Sequence, residues 1–123
     1  MLAEGAAVEL DRNGANYLGN VLRLNVDAEV LLFDGQSGEW LARITDAGKK
    51  RMTLSVNRQT SPLEQVPDLT LAFAPIKRAQ VDWLVEKATE LGVRRLLPVV
   101  TQRTVVDRVK LERLVAIAIE AAE

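Results

Sequence analysis

Cysteine and histidine are both missing from this 123-residue sequence, and the two zeros together exclude several chemistries. Without cysteine there is no disulfide framework, no thiolate nucleophile and no Cys/His zinc site. Without histidine there is no Ser-His-Asp relay and no imidazole base. Aromatic residues are scarce at 4%, and Tyr17, Phe33 and Trp40 are too scattered to call an aromatic reading surface. Neither GxGxxG nor a Walker loop occurs, so no glycine-rich phosphate cradle is available. No apolar run approaches the roughly 20 residues that cross a bilayer. The opening MLAEGAAVELDR has neither the basic region nor the apolar core of a secretory signal. The expectation is a soluble cytoplasmic protein with no membrane partner and no metal.

What is present is enough for a core, since apolar residues make up 48% of the chain. That composition argues against disorder. The formal charge is −1, unevenly spread. Residues 1–68 carry seven Lys and Arg against ten Asp and Glu, a balance of −3, and residues 69–123 carry nine against seven, a balance of +2. Neither half is a polybasic tail, so any contact with nucleic acid has to come from basic side chains gathered by folding.

From Glu4 to about Val56 the pattern is short and strand-like. AAVEL reads as a strand, and DRNGANYLGNVLRLN offers Asp11 or Asn13 as the start of a short helix with Gly19 inside it. AEVLLFD, GEWLARITD and RMTLSVNR read as three antiparallel strands. Gly35 and Gly38 in the first turn, and Gly48 in the second, can take backbone angles that other residues avoid. Trp40, Ala42 and Ile44 alternate with Leu41 and Arg43, which implies a small curved sheet or partial barrel. Pro62 and Pro67 in QTSPLEQVPD then mark a domain boundary within residues 59–68.

Beyond it the pattern alternates strand and helix. LTLAFAP reads as a buried strand, and IKRAQVDWLVEKATELG as a helix with Val81, Leu84, Val85, Ala88 and Leu91 in one stripe and Gly92 as its C-terminal cap. VRRLLPVVT is a second strand, followed by a helix with Asp107 as N-cap and Leu111, Leu114, Val115, Ala118 and Ala122 on one face. Strand-helix-strand is the economical way to connect parallel strands. Two are too few for an ordinary sheet of about four to six, so the sequence reads as truncated or as completed by association.

Ligands of α/β sheets gather beyond the carboxyl ends of strands. That rule selects Lys77 and Arg78 after the first of these strands and Arg103 after the second, each also readable as a solvated surface residue. Thr101 and Gln102 would wall the same edge or simply cap the strand. Arg94 and Arg95 lie at the opposite end and read as surface or salt-bridge residues. Asp82, Glu86 and Glu90 share one helix side, but Lys87 among them favours ion pairing over a metal. Trp83 reads as packing or subunit contact. In the first half Arg23, Arg43, Lys49, Lys50, Arg51 and Arg58 are available to gather into a basic surface, and the KKR turn suits phosphate as well as it suits solvent.

Three stretches, NYLGNVLRLNVDAEVLLFDGQSGEWLARI, LTLAFAPIKRAQVDWLVEKATELGVRRLLPVVTQRTV and IAIEAAE, resemble the ribosomal RNA small subunit methyltransferase E family. The more specific signal is KATELGV followed by the P-x-x-T-x-R pattern. The resemblance implies a PUA-like β-barrel followed by the N-terminal part of an α/β SPOUT (trefoil-knot) methyltransferase domain. It also implies S-adenosylmethionine as cofactor, action as a homodimer, and methylation of N3 of a uridine in small-subunit ribosomal RNA. On that reading residues 1–68 are the RNA-binding domain, lacking its usual first strand, and residues 69–123 open the methyltransferase domain. The cofactor contacts then lie beyond residue 123, and the 123-residue piece is expected to bind no cofactor and to be inactive alone. Arg23, Lys49, Lys50, Arg51, Lys77 and Arg78 are the expected RNA contacts, with Arg103 at the active-site rim or supporting it.

The sequence departs from the family pattern where histidines usually precede the VLR motif and Asn16 and Tyr17 stand instead. Asp27 and Ala28 replace a Gly-Asp pair, and Gln102 with Arg103 replaces Glu-Arg, losing a charge while keeping hydrogen-bonding capacity. Two readings from other classes stay open at this point: a non-enzymatic RNA-binding or ribosome-assembly module, and a structural homodimerisation module.

Overall fold

The computed structural model describes residues 1–104 and 109–123, and the chain divides into two units, Met1–Glu64 and Gln65–Glu123. In the first unit, strands β1 (Ala7–Leu10), β2 (Glu29–Phe33), β3 (Glu39–Ala47) and β4 (Met52–Ser61) form an antiparallel sheet in the order β1-β4-β3-β2. The period-2 reading of EWLARI holds at its centre, where Ala42 and Ile44 are fully buried beside Met52, Leu54 and Val56 of β4. Helix α1 (Arg12–Asn16) adds Ala15 to that core, and Leu10, Leu18, Leu24, Ala28, Val30 and Leu32 pack around it. Full burial of an aliphatic side chain contributes about 2 kcal/mol, so these few positions carry much of the unit's stability. Three register shifts against β4 fall within β3 and bend the strand. Among the described residues the sheet remains open with β1 and β2 as edges, so the expected barrel is bent without being closed.

The β2–β3 turn is fixed by one carboxylate. Asp34 Oδ1 accepts from the Gln36 and Ser37 amides at 2.9 and 2.7 Å, and Oδ2 accepts from the Ser37 hydroxyl and the Leu2 amide at 2.8 and 2.9 Å. These donors, the Ser37 amide first, hold the carboxyl far below its ordinary range. Gly38 closes the turn at φ 84, and a Cβ there would sit 2.3 Å from the Ser61 carbonyl oxygen. Gly48 does not share that role. It is not among the positive-φ residues, and glycine is required there for space, since a Cβ would lie 2.6 Å from the Arg51 carbonyl oxygen.

In the second unit, β5 (Thr70–Phe73) and β6 (Arg95–Pro98) pair in parallel through the crossover helix α2 (Arg78–Glu90). The Gly92 amide donates to the Thr89 carbonyl at 2.9 Å and the Val93 amide to that of Ala88 at 3.0 Å, with Gly92 at φ 80. That is a Schellman ending, and it returns the chain to the sheet within three residues. Val81, Val85 and Ala88 are buried as their spacing predicts, but Leu91 is 83% exposed because the helix ends at Glu90 and Leu91 lies past the last packed turn. Helix α3 (Leu111–Ala122) packs on α2 through Leu114, Ile117 and Ala118. The expected face was rotated: Leu111 and Val115 are exposed, because the side toward α2 is set by Leu114 together with the Arg113–Asp82 ion pair. Lys110 precedes this helix, and Asp107, expected as its cap, lies outside the described residues. No helix among the described residues is long and apolar enough to cross a membrane.

Candidate functional site

Topology brings most of the first unit's basic side chains to one end of its sheet. β1 ends at Leu10 opposite Met52, β3 ends at Ala47 opposite Met52, and β2 begins opposite Arg43. The exposed Lys49, Lys50 and Arg51 of the β3–β4 turn therefore share an end with α1 and with the loop that carries Arg23. Of these, Arg51 is paired with Glu9 at 2.9 Å, and Arg43 on the sheet is paired with Glu29 at 3.1 Å. Arg58 lies farther along β4, opposite Leu41, and does not join the group. Arg12 does belong with it, exposed one residue past the Asp11 cap, and the sequence reading passed over it. Its only signal was its place directly after a helix-capping aspartate.

Arg23 is one of two described non-glycine residues at positive φ, the other being Asp27 at φ 72, a residue type that tolerates this region more readily. The chain leaves α1 through a π-helical turn, Tyr17–Val21, and reverses at Arg23 with φ 56. Two bonds hold the reversal: the Leu22 amide donates to the Tyr17 carbonyl and the Leu24 amide to that of Leu18, each at 2.9 Å. A residue with a side chain resists this region by about 1–2 kcal/mol. The side chain itself is exposed, so no core packing explains its presence there. Strain of this kind, held by its surroundings, concentrates at ligand contacts.

The second unit offers the carboxyl edge of its parallel strands. Phe73 and Pro98 are register partners, and the Val99 amide donates to the Phe73 carbonyl at 2.9 Å, so the segments after both strands leave from one edge. Lys77 and Arg78 start α2 there, both exposed. Across the edge a tight turn is tied by two threonines. The Thr101 amide donates to Thr104 Oγ1 at 2.7 Å, and the Thr104 amide to the Thr101 carbonyl at 3.1 Å, which displays Gln102 and Arg103 at the tip. Arg95, at the other end of β6, is bound to Asp68 at 2.6 Å, as its surface reading implied.

Two concavities adjoin this framework. A recess of 210 Å³ between the starts of α2 and α3 is lined by apolar residues and by Arg78, Lys110 and Arg113. A wider furrow of 590 Å³ runs along α2 past Leu71, Trp83, Leu84 and Leu91, with Gln80 and Lys87 as its polar members. Trp83, 63% exposed on that furrow, is not core packing: the helix turns its buried side elsewhere, through Val81, Val85 and Ala88. The acidic side of α2 is partly neutralised, its three carboxylates sharing two cations. Lys87 sits 3.0 Å from both Glu86 and Glu90, which raise its pKa, Glu90 foremost, and Asp82 pairs with Arg113.

Comparison with known proteins places these two units in sequence and in fold. An RNA methyltransferase PUA domain model matches residues 10–57, and an RNA methyltransferase domain model matches residues 63–123. Ribosomal RNA small subunit methyltransferase E of Rickettsia conorii is 36% identical over 123 residues, covering 99% of this chain and 50% of that protein. The protein of the same name in Synechocystis sp. is 34% identical, covering 96% of this chain and 39% of that one. A crystal structure of a ribosomal RNA small subunit methyltransferase E from Neisseria gonorrhoeae, bound to S-adenosyl methionine, superposes with a TM-score of 0.86 at 30% identity, covering 100% of this chain and 52% of that one. The chain thus spans half or less of the length of the curated relatives it matches.

Proposed function

The chain belongs to the ribosomal RNA small subunit methyltransferase E family, and from that premise we propose that it is the RNA-binding domain and the opening part of the methyltransferase domain of an enzyme that methylates N3 of a uridine in small-subunit ribosomal RNA. The observation that carries the proposal is the joint match of the two domain models to the two structural units, 10–57 within the first and 63–123 over the whole of the second and the last two residues of the first. In this reading the enzyme works in the cytoplasm, as a homodimer with a SPOUT-type knot. The first unit draws RNA through Arg23, Lys49, Lys50 and Arg51, whose phosphate contacts would make binding fall with salt. Lys77, Arg78 and Arg103 at the sheet edge of the second unit orient the nucleotide that reacts.

The methyl donor provides an electrophilic methyl on a sulfonium when bound. The concavities among the described residues do not fit it. One of 480 Å³ between α2 and α3 carries Asp82, Glu86, Glu90 and Glu120, but Asp82 is paired with Arg113 and Glu86 and Glu90 with Lys87, and only Ile117 and Ala121 are apolar enough to receive an adenosine. The recess of 210 Å³ falls below the about 300–1,000 Å³ of ordinary ligand sites. Its polar members, Arg78, Lys110 and Arg113, are all cations, which suit the donor's carboxylate but leave its sulfonium and amino group without an acceptor. The 590 Å³ furrow is large enough but offers only Gln80 and Lys87, with no carboxylate to receive those groups. Donor binding is accordingly assigned to the part of the relatives that this chain does not span. The contribution of its own residues is to bind and orient the unpaired uridine, whose N3 has to be brought out of base pairing for transfer.

Calorimetry of the 123-residue chain with S-adenosylmethionine tests the division of labour, with no micromolar binding expected. Anisotropy with small-subunit ribosomal RNA over a salt series tests the RNA reading, with affinity expected to fall as salt rises. Micromolar donor binding would refute the first, and salt-independent or absent RNA binding the second.

A further inference from the structure

The segment from Asn16 to Arg23 combines features that core packing does not account for. Tyr17–Val21 is a π-helical turn, a rare geometry that recurs at functional sites. Its i→i+5 bond from the Leu22 amide to the Tyr17 carbonyl sets those two residues one turn apart with Val21 beside them. Tyr17, Val21 and Leu22 are 48, 61 and 47% exposed, an aromatic and aliphatic patch turned to solvent. Next to it the Asn20 side-chain amide donates to Asn16 Oδ1 at 2.7 Å. That bond fixes both amides and, among the described residues, leaves the Asn16 amide donors and the Asn20 acceptor oxygen without a partner. Arg23 follows at its left-handed backbone.

We propose that this face receives one unpaired nucleotide of RNA: the base stacks on Tyr17 above Val21 and Leu22, its edge meets the Asn16 donor and the Asn20 acceptor, and its phosphate meets Arg23. The inference rests on the RNA-binding reading above and gives it a base-contacting site. An aromatic platform beside a fixed donor and acceptor, flanked by cations, is the combination by which single strands are held. A strand leaving Arg23 has further cations to follow, since Arg12, Lys49 and Lys50 occupy the same end of the sheet. Of the carboxylates nearby, Asp11 accepts from the Gly14 amide at 2.9 Å as the cap of α1, Glu9 is paired with Arg51, and Asp27 and Asp46 remain exposed. The apolar patch therefore sits among charges of both signs with the cations in slight excess, which suits a polyanion over a cationic partner.

The test is fluorescence anisotropy of the 123-residue chain with a short single-stranded RNA and with a fully paired duplex of equal charge, each over a salt series. Tyr17→Ala is expected to weaken single-strand binding about tenfold, the loss of one stacked base, with an unchanged salt slope and unchanged duplex binding. Tyr17→Phe is expected to restore it. Thermal melts of both variants establish folding, which a half-exposed side chain should not govern. If Tyr17→Ala binds as tightly as the parent while Lys49→Ala and Lys50→Ala weaken binding, the base site is overturned and RNA binding by the unit stands. If the parent binds neither RNA, both readings fail together. If Tyr17→Ala leaves RNA affinity intact and dissolves a dimer seen by sedimentation, the face belongs to a second copy and the proposal is overturned.

Discussion

Replacing Arg23 by glycine removes a cation and relieves a backbone in one step, and replacing it by alanine removes the cation alone. At φ 56 the residue sits where a Cβ costs about 1–2 kcal/mol. Glycine escapes that penalty but loses about 0.5–1 kcal/mol more backbone entropy on folding than alanine does. Arg23→Gly should therefore be more stable than Arg23→Ala by about 0.5–1 kcal/mol. With urea m-values of about 1–3 kcal/mol/M, the midpoint should differ by about 0.5 M. The guanidinium is exposed, so Arg23→Ala should stay within about 0.5 kcal/mol of the parent. Both variants should bind single-stranded RNA more weakly and lose about 0.7 from the log-log salt slope, the share of one phosphate contact. Urea denaturation followed by circular dichroism, beside anisotropy over a salt series, reads both effects. Equal midpoints for the two variants would refute the strain argument, and a parental salt slope would refute the phosphate contact.

Gly38→Ala should cost about 3 kcal/mol or more, because a β-carbon at φ 84 would press on the backbone of Ser61, Pro62 and Leu63; chemical denaturation measures it. Asp34→Asn should separate from the parent in a pH-dependent way. The carboxyl's folded pKa is depressed, so its stabilisation is full above the ordinary carboxylate range and is lost as pH falls toward the folded value. Melting temperatures over an acid series should converge, and a gap that widened in acid would contradict the assignment. Arg113→Met should cost about 1–3 kcal/mol, since Asp82 Oδ1 has no hydrogen-bond partner and Oδ2 would lose its own. The double variant with Asp82→Asn should recover part of that loss in a double-mutant cycle.

Where local chemistry and packing agree, the structure was legible beforehand. The apolar spacing of α2, Gly92 at its end, and Gly35 and Gly38 in the β2–β3 turn each carry one dominant physical cause. The turn after α1 was harder. A π geometry does not follow the 3.6-residue period, so Leu18, Val21 and Leu22 suggested a short helix and gave no hint that Val21 and Leu22 would face solvent beside Tyr17 while Leu18 packs on the core. On α3 several apolar residues competed for one buried face, and an ion pair across to α2 decided the rotation, which no pattern within a single helix could specify. The site followed the same division. Lys77, Arg78 and Arg103 fall at the strand edge because parallel strands share their direction. The grouping of Arg12 and Arg23 with Lys49, Lys50 and Arg51 depends on the strand order β1-β4-β3-β2, which is tertiary information.

The link from Gly92 to Arg94 also constrains chain length. The Arg94 and Arg95 amides both donate to the Leu69 carbonyl, at 3.0 and 3.2 Å, so β6 starts in a fixed frame relative to β5. Side chains alternate faces along a strand, and in this frame Leu96 packs beneath the helices while Leu97 is 51% exposed. One inserted residue would exchange them, burying Leu97 and expelling Leu96, and two would restore the parity. The join thus counts residues as well as turning the chain, and odd-numbered insertions there should be far less tolerable than even ones.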